Sequence, residues 1–342
     1  MAEPAYPFVS VVIPHYNDFD NLALCLESLR RQHWPADRFE IVVADNNSTG
    51  GVAAVAAIAP GIRVVDAPEQ GAGPARNVGA AAGRGDLFAF LDADAVADPG
   101  WIGAGVAALS RFDYVGGRVV VTTRAPELLS PSEAYEAVFA YDFRKYIEQE
   151  HYSGTGNLFV PRAVFERVGG FRTGVAEDME WCWRANGLGY RIGYAEDAIV
   201  QIAARRRWAE LKAKFDRMER EHLLLYRGRP VWRARWLWHA ALVAGSPFIH
   251  WVRVMASPRL AGGRAKLLGI LGLAMIRYYR VYLMLRLLGF RVPCESGRTR
   301  TLPKHAEMMR ARDLISYAAL VLIWLAVISF GLGLLALKLT YG

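Results

Sequence analysis

Several signals that assign chains to common classes are missing from this sequence. Its 3 cysteines among 342 residues are widely separated and form no C-x-x-C pair, so we expect reduced, packed thiols. The first strand-like run is followed by Pro-His-Tyr-Asn instead of G-x-G-x-x-G, which argues against a dinucleotide-binding domain. No basic region followed by an apolar stretch opens the chain, so no signal peptide is expected. These absences favour a protein that faces the cytosol.

Acidic residues are scarce in one part of the chain only. Residues 1–200 carry 16 Lys and Arg against 26 Asp and Glu, a net charge of −10, whereas residues 201–312 carry 24 against 6, a net charge of +18. The basic residues of the second part lie among long apolar runs, as in 235–238 and 282–288. Anionic lipid headgroups attract such a region by roughly 1 kcal/mol per basic residue near the surface. We therefore expect membrane lipids as a partner, and no nucleic acid.

Uncharged apolar runs long enough to span a bilayer are confined to the C-terminus. Residues 314–337 exceed the ~20 needed, so a transmembrane helix is predicted there, with a buried core helix as the alternative. More basic residues precede this run than follow it. By the positive-inside rule, the large portion of the chain before the run then lies in the cytoplasm and the C-terminus lies outside. We expect a protein of the cell inner (plasma) membrane with a cytoplasmic catalytic domain. Segments 231–256 and 264–290 contain arginines and are interpreted as helices in the membrane plane, with a spanning hairpin as the alternative.

Residues 9–91 alternate between strand-like and helix-like patterns, whereas residues 112–200 look more mixed. Strands are predicted at 9–14, 39–44, 62–65 and 87–91, and helices at 21–32, 52–58 and 73–82. This alternation predicts a parallel, three-layer α/β sheet, in which ligands bind beyond the carboxyl ends of the strands. Further on, strands are predicted at 115–121 and 158–160, and helices at 132–149, 176–186 and 208–225.

Two aspartates follow the apolar strand 87–91 directly. Asp92 and Asp94 are separated by one residue, so their side chains project from the same side of an extended chain. A desolvated carboxylate is costly unless a cation or hydrogen bonds compensate it. The pair therefore suits one hard divalent cation, or a cation together with a sugar hydroxyl.

Other carboxylates fall at or near the same predicted edge. Asp45 ends the second strand, where a simple turn residue is the alternative. Glu177 and Asp178 are adjacent and can raise each other's pKa, which suits a base that works near neutrality. The alternative for this pair is a helical first turn, which favours acidic residues through the helix dipole.

Five motifs, taken in order and spacing, resemble the family 2 glycosyltransferases with the GT-A fold over roughly residues 7–205. The motifs are Pro14-His15-Tyr16-Asn17, Asp45-Asn46-Asn47-Ser48, Gly73-Pro74-Ala75-Arg76-Asn77-Val78-Gly79, Asp92-Ala93-Asp94, and Gly169-Gly170-Phe171 before Glu177-Asp178. The resemblance implies a GT-A three-layer α/β/α nucleotide-sugar domain at 1–205. Basic, amphipathic, membrane-associated helices would follow at 206–312 and the transmembrane helix at 313–342. A chain organised in this way resembles bacterial membrane-associated enzymes that build exopolysaccharide or cell-envelope glycans.

The resemblance also implies roles for single residues. Nucleotide binding falls on Pro14, His15, Tyr16, Asn17, Asp45, Arg76 and Asp92, with Asp92 towards the ribose. Asp94 would bind Mg²⁺ or Mn²⁺ at the diphosphate, and Asp178, beside Glu177, would be the general base of a single inverting displacement. Acceptor contacts are expected from Gly154, Asn157, Trp181, Arg207 and Trp208, although Trp181 suits the core equally well.

Two features of the family pattern are missing. Residues 198–202 contain no histidine after the last strand, so Asp94, the diphosphate and waters would hold the metal. Residues 204–208 read Ala-Arg-Arg-Arg-Trp and lack the glutamine of the processive Q-x-x-R-W motif, which favours a non-processive enzyme. We therefore expect a nucleotide-sugar-dependent hexosyltransferase that uses a UDP- or GDP-sugar and a lipid-linked or polysaccharide acceptor. The alternatives are transfer directly onto polyprenyl phosphate, and a non-catalytic, membrane-anchored sugar-nucleotide-binding subunit.

Overall fold

A computed structural model of the chain describes residues 6–227 and 230–289, and these residues form two compact units. The first unit comprises Met1–Thr123 and Phe139–Ala204, and the second comprises Arg124–Val138 and Arg205–Gly342, each within the described ranges. The expected catalytic domain at 1–205 differs from the first unit by the segment 124–138 and by Arg205. The predicted transmembrane helix at 314–337 lies outside the described residues, and so does Cys294.

The first unit is built on one eight-stranded sheet. Its strands are β1 (Val9–His15), β2 (Phe39–Asp45), β3 (Arg63–Asp66), β4 (Leu87–Leu91), β5 (Ala95–Ala97), β6 (Tyr114–Thr122), β7 (Asn157–Pro161) and β8 (Ile192–Ala203). Their order across the sheet is β3-β2-β1-β4-β7-β6-β8-β5. Strands β3, β2, β1 and β4 are parallel, as predicted for that part of the sheet.

The sequence predicts no strand direction for the other half of the sheet, and this half is mixed. Strand β7 runs antiparallel to both β4 and β6, and β5 runs antiparallel to β8. Strand β7 lies between β4 and β6, which both precede it in the chain. This part of the sheet is therefore not built from strands that each follow their neighbour through a helical crossover. Mixed sheets of this kind are common in large α/β folds.

Helices cover both faces of this sheet, so the three-layer arrangement is confirmed. The helices of the first unit are α1 (Phe19–Arg30), α2 (Gly51–Ile58), α3 (Ala72–Ala82), α4 (Trp101–Ala108), α6 (Phe143–Glu150), α7 (Arg162–Val168) and α8 (Glu177–Gly187). Along β1, Val11 and Ile13 join one buried cluster, and Val12 joins the cluster on the opposite face, as strand alternation requires. Gly79 lets α3 lie directly on the sheet, because a Cβ there would be 2.5 Å from a Val12 methyl carbon.

The helix predicted over 132–149 is interrupted. The structure has α5 (Pro131–Phe139) and α6, and between them Tyr141 adopts a left-handed conformation with φ of 56°. A left-handed non-glycine residue cannot continue a right-handed helix, so the chain breaks at this point. Periodicity alone did not reveal this break, since apolar residues continue on both sides of it.

The second unit is helical. It contains α9 (Trp208–Arg227), α10 (Trp232–Gly245), α11 (Pro247–Ala256) and α12 (Gly262–Leu288). Helix α5 also belongs to this unit, except for its last residue. Its charges are partly internal: buried Glu136 pairs with Arg205 and Lys214, and buried Glu219 pairs with Arg280. In the described part of the chain, α12 is the helix long and apolar enough to cross a membrane by length and composition. A third of its most apolar window is buried within the protein, and the core helix of a soluble protein can meet the same criteria.

Candidate functional site

The carboxyl ends of β1 and β2 bring His15 and Asp45 side by side. The two residues are register partners, and His15 Nδ1 lies 3.5 Å from Asp45 Oδ1 and 3.2 Å from Ser48 Oγ. The backbone N–H of Asp18 donates to His15 Nε2 at 3.2 Å, so we assign the ring proton to Nδ1. Both ring nitrogens thus form hydrogen bonds with neighbouring turn residues, so the His15 side chain stabilises the turn.

Asp45 is the more informative member of the pair. Only 1% of its surface is exposed, and Oδ1 accepts the Ser48 N–H at 3.3 Å. Its Oδ2 finds no hydrogen-bond partner among the described residues. A buried carboxylate oxygen without a partner is costly, and a bound donor group would remove that cost.

The turn from Pro14 to Asn17 is fixed by backbone contacts. Asn17 is left-handed, with φ of 52°; its N–H donates to Ser48 Oγ at 2.9 Å and its Oδ1 accepts the Thr49 N–H at 2.7 Å. Tyr16 is 55% exposed at the outside of this turn. The turn therefore carries an exposed tyrosine directly after His15, the register partner of Asp45.

Asn46 ties this turn to the start of α3. Its Nδ2 donates to the carbonyls of Ala67 and Glu69, both at 2.7 Å, and its Oδ1 accepts the Gly71 N–H at 2.7 Å. Gly71 is the residue that precedes α3, with a φ of 136° that favours glycine. A single buried amide thus fixes the loop between β3 and α3 to the end of β2.

Arg76, on α3, links two separate acidic groups of the site. Nη2 lies 2.5 Å from Asp92 Oδ1, and Nη1 lies 3.3 Å from Glu177 Oε1. The guanidinium is almost fully buried, whereas Asp92 keeps about a third of its side chain exposed. The second oxygen of Asp92 lies against Gly156, where any side chain would collide with it. The structure thus brings together Arg76, Asp92 and Glu177 from three motifs.

Asp178 lies in the first turn of α8, next to Glu177. Its Oδ1 accepts the Met179 N–H at 2.7 Å. Part of the side chain remains accessible, but close packing removes most of its hydration. Burial first, and the Glu177 carboxylate second, raise the pKa of Asp178 from its usual 3.8 to about 6, against the opposing effects of the Met179 N–H and Arg76. Such a carboxyl is ionised at neutral pH and is a stronger base than an ordinary aspartate.

The residues present fit a metal ion held mainly by its substrate. Asp94 is half-buried two residues after Asp92, and no group of three or more His, Cys, Asp or Glu side chains that could hold a metal occurs among residues 6–227 and 230–289. The residue that follows the A-x-V-x pattern is Ile202, which is buried, and the preceding Gln201 donates to Asp98 Oδ1 at 2.9 Å. Mg²⁺ is commonly bound by one or two carboxylates together with substrate phosphates and waters. One carboxylate at a strand end is compatible with that mode of binding.

Two predicted acceptor residues belong to the core instead. Asn157 is fully buried: its Oδ1 accepts the Trp101 indole N–H at 2.8 Å, and its Nδ2 donates to the carbonyls of Arg118 and Ala198. Trp181 is fully buried among aromatic rings, and its indole N–H donates to the Gly169 carbonyl at 2.8 Å. Neither side chain has an exposed surface, which favours the core alternative for Trp181 and a structural role for Asn157.

The other three predicted acceptor residues are placed differently. Gly154 packs against the Phe143 ring, where a Cβ would lie 2.6 Å from a ring carbon. Arg207 and Trp208 belong to the second unit, where Trp208 begins α9 and its ring packs edge-on against Tyr279. The residues expected from the sequence motifs to serve the nucleotide, the metal and the base all lie in the first unit.

Sequence reasoning missed two polar residues that organise the site. Asn46 anchors the loop before α3, as described above, and Asn77 of α3 forms two hydrogen bonds with the backbone of Phe171. Both stand inside motifs that were identified for neighbouring residues. The signal available was their position, because Asn46 directly follows Asp45 and Asn77 directly follows Arg76, two residues with predicted roles.

Comparisons of sequence agree on one family. The model of the family described as Glycosyl transferase family 2 matches residues 10–172. Glycosyltransferase AglE of Haloferax volcanii is 33% identical over 218 residues, which cover 61% of this chain and 71% of that protein. The probable glycosyltransferase YdaM of Bacillus subtilis is 28% identical over 211 residues, which cover 57% of this chain and 50% of that protein.

A solved structure has the same fold. Mannosyltransferase PcManGT from Pyrobaculum calidifontis, in complex with GDP-Man and Mn²⁺, aligns with a TM-score of 0.56 and 20% sequence identity. The alignment covers 84% of this chain and 88% of that chain. The likeness extends over most of both molecules and concerns the fold.

Proposed function

Because this chain belongs to glycosyl transferase family 2 and has the GT-A fold, we propose that it is an inverting, non-processive hexosyltransferase. It moves one sugar from a UDP- or GDP-sugar to a hydroxyl group of a lipid-linked or polysaccharide acceptor. The observation that carries this proposal is the position of Asp178, a carboxylate with a raised pKa, next to the Glu177–Arg76–Asp92 chain of contacts.

In the proposed reaction Asp178 takes the proton of the acceptor hydroxyl. The acceptor oxygen forms a bond to the anomeric carbon while the bond from that carbon to the diphosphate oxygen breaks on the opposite face. One displacement inverts the configuration at this carbon, and the proton ends on Asp178. The pKa of about 6 supports this role, since the group is ionised before the reaction and can hold a proton after it.

The donor would lie across the ends of β1, β2 and β4. Asp45 Oδ2, buried and without a partner among the described residues, would accept an N–H of the nucleobase, and Tyr16 would cover the base. Asp92 would meet the ribose. Asp94 would hold Mg²⁺ or Mn²⁺ together with diphosphate oxygens, and such an ion neutralises charge on the leaving nucleoside diphosphate.

The second unit supports attachment to a membrane, and with it a lipid-linked acceptor. On α11 the exposed side chains Phe248, Trp251, Val252 and Met255 follow helical spacing, so an apolar face points outwards. The exposed large apolar side chains on α10 and α12 are Leu237, Trp238, Leu267, Leu271, Tyr278, Tyr282 and Leu285. Together with the net charge of +18 over 201–312, these surfaces suit an anionic cytoplasmic leaflet.

The basicity of Asp178 favours a hydroxyl acceptor over the two alternatives. A polyprenyl phosphate is already an anion at neutral pH and needs no base to attack the anomeric carbon. A non-catalytic binding subunit would gain nothing from a buried carboxylate whose charged form burial disfavours. Of the three proposed functions, transfer to a hydroxyl is the one that requires Asp178 as a base.

A panel of nucleotide sugars tests the donor class. We expect GDP-mannose or UDP-N-acetylglucosamine, with Mn²⁺, to raise the melting temperature of the protein by binding its folded state. The same donor should release its nucleoside diphosphate in the presence of the protein, and EDTA should slow that release. A panel in which no nucleotide sugar stabilises the protein and none is consumed would refute the proposal.

A further inference from the structure

The segment that carries Glu177 and Asp178 is held by α3. Nδ2 of Asn77 donates to the carbonyl oxygen of Phe171 at 2.8 Å, and Oδ1 of Asn77 accepts the N–H of Phe171 at 2.8 Å. One side-chain amide therefore satisfies both backbone hydrogen-bonding groups of Phe171. Phe171 is buried, so these groups would be costly to leave without partners.

Two glycines allow the helix and the segment to approach this closely. A Cβ on Gly170 would lie 2.6 Å from Asn77 Oδ1, which leaves no space for a side chain. A Cβ on Gly73 would lie 3.3 Å from Phe171 Cβ and 3.4 Å from Glu177 Cγ. A side chain at residue 170 would therefore displace the Asn77 amide, and one at residue 73 would fit only tightly against Phe171 and Glu177.

Helix α3 also contacts residues that are expected to bind the donor. Asn46 holds Gly71 just before α3, and Arg76 reaches from α3 to both Asp92 and Glu177. A continuous series of hydrogen bonds thus runs from the end of β2, through α3, to the segment before α8. The position of Asp178 relative to the strand ends depends on that series.

We propose that Asn77 is a positioning residue for the reaction, which holds the 170–178 segment so that Asp178 faces the donor site. Asn77 itself contacts neither substrate in this account. The inference rests on the proposed function, because it assigns Asn77 its role through the base Asp178.

Removing the Asn77 amide should affect turnover more than donor binding. In Asn77→Ala the Phe171 backbone loses both partners, and the segment shifts away from the geometry set by α3. A misplacement of about 1 Å can cost about 100-fold in rate, so we expect kcat to fall by about 10- to 100-fold. The Kd for the donor should stay within about twofold, because Asp45, Asp92 and Asn46 are unchanged.

Gly170→Ala provides a second variant that disturbs the same contact from the other side. Its new methyl group would push against Asn77 Oδ1, so it should lower kcat without raising the donor Kd. Arg162→Ala is the matched control, because Arg162 also donates to two backbone carbonyls, those of Gly83 and Gly85, at the opposite end of β4. That control should lower the melting temperature and leave kcat within about twofold.

The experiment measures donor Kd and nucleoside diphosphate release with GDP-mannose and UDP-N-acetylglucosamine, using the full chain. Amide exchange of 170–178, followed by mass spectrometry, gives a readout that needs no turnover and should rise in Asn77→Ala but not in Arg162→Ala. Unchanged kcat in Asn77→Ala, or losses of kcat and melting temperature matched by Arg162→Ala, would overturn the inference. Unchanged amide exchange would overturn it as well. Wild-type protein that binds and consumes no nucleotide sugar would instead contradict the proposed function itself.

Discussion

Nη2 of Arg76 lies 2.5 Å from Oδ1 of Asp92, which joins the middle of α3 to the end of β4. The same guanidinium reaches Glu177 through Nη1 at 3.3 Å, and its Nε has no partner among the described residues. A planar guanidinium can span two carboxylates in this way, whereas an ammonium group acts as a point charge. The geometry of the site therefore depends on the shape of the Arg76 side chain as well as on its charge.

Arg76→Lys should keep the charge and lose the bridge. We expect kcat/KM to fall by about tenfold or more, and the melting temperature to fall as well, because one of the two carboxylates loses its hydrogen bond. The control is Arg84→Lys, since the Arg84 side chain is largely exposed and its partner Glu40 keeps hydrogen bonds from the Ser10 hydroxyl and the backbone N–H of residue 84. Steady-state kinetics and thermal melts of both variants check this. Equal kcat/KM for Arg76→Lys and the wild type would show that the reaction does not need the double contact of Arg76 with Asp92 and Glu177.

Asp45→Asn should weaken donor binding. The substitution keeps an oxygen for the Ser48 N–H but replaces the partnerless Oδ2 with a donor, which cannot accept from the nucleobase. Loss of a hydrogen bond to a charged group costs about 1.5–3 kcal/mol, so the donor Kd should rise by roughly 10- to 100-fold. Asp66→Asn is the control, because Asp66 ends the neighbouring strand in register with Asp45 but is exposed. Isothermal titration with GDP-mannose and UDP-N-acetylglucosamine checks both, and an unaltered Kd in Asp45→Asn would remove Asp45 from the donor site.

Asp178 should make the wild-type protein less stable as pH rises through its titration. Its folded-state pKa of about 6 exceeds its usual 3.8, so the folded protein binds this proton more tightly than the unfolded chain does. The unfolding free energy should therefore fall between about pH 4 and pH 6 and then level off. Asp178→Asn keeps the hydrogen bond from the Met179 N–H and removes the charge.

The Asp178→Asn variant should therefore melt higher than the wild type at pH 7.5, and the difference should disappear towards pH 4. Thermal melts of both proteins across pH 4–8 measure this, with Asp66→Asn as the same substitution at an exposed position. A variant that melts lower than the wild type at pH 7.5 would mean that the charged carboxylate is stabilised in the fold, which is the opposite of our expectation.

The outward apolar face of α11 should contact lipid. A fluorophore on Phe248→Cys, with Cys294→Ser, should be quenched by brominated lipids when the full chain is reconstituted in vesicles of phosphatidylglycerol and phosphatidylcholine. Burial raises the pKa of the remaining thiols, Cys25 and Cys182, and keeps them from reacting with the label. The same label on Leu24→Cys, an exposed leucine of the first unit, should not be quenched. Equal quenching at the two positions would contradict lipid contact by α11.

The strand ends could be predicted from the sequence because they rest on local signals. Short β-branched or aromatic runs that stop at Pro14, Asp45 and Asp92 identify three neighbouring parallel strands, and parallel strands end at one edge. The structure confirms those strands and gathers their terminal side chains. Cys25 and Cys182 are buried free thiols, as expected from their isolation in the sequence.

The remaining features depend on contacts between residues far apart in the chain. The reversed direction of β7 follows from which strands it lies between, and the assignment of 124–138 to the second unit follows from its contacts there. Asn157 was expected among the acceptor contacts, but its side-chain amide bonds to Trp101 and to two backbone carbonyls. Nothing in a single sequence says which distant partner an asparagine will meet.

The central claim is that Asp178 is the base that activates the acceptor. The most direct test is kcat for Asp178→Asn at pH 7.5, measured with a donor and acceptor that the wild type uses, beside Glu180→Gln as a control from the same helix. We predict that kcat falls by at least about 100-fold in Asp178→Asn, with the donor Kd within about twofold, while Glu180→Gln retains activity. A kcat for Asp178→Asn equal to that of the wild type would contradict the account.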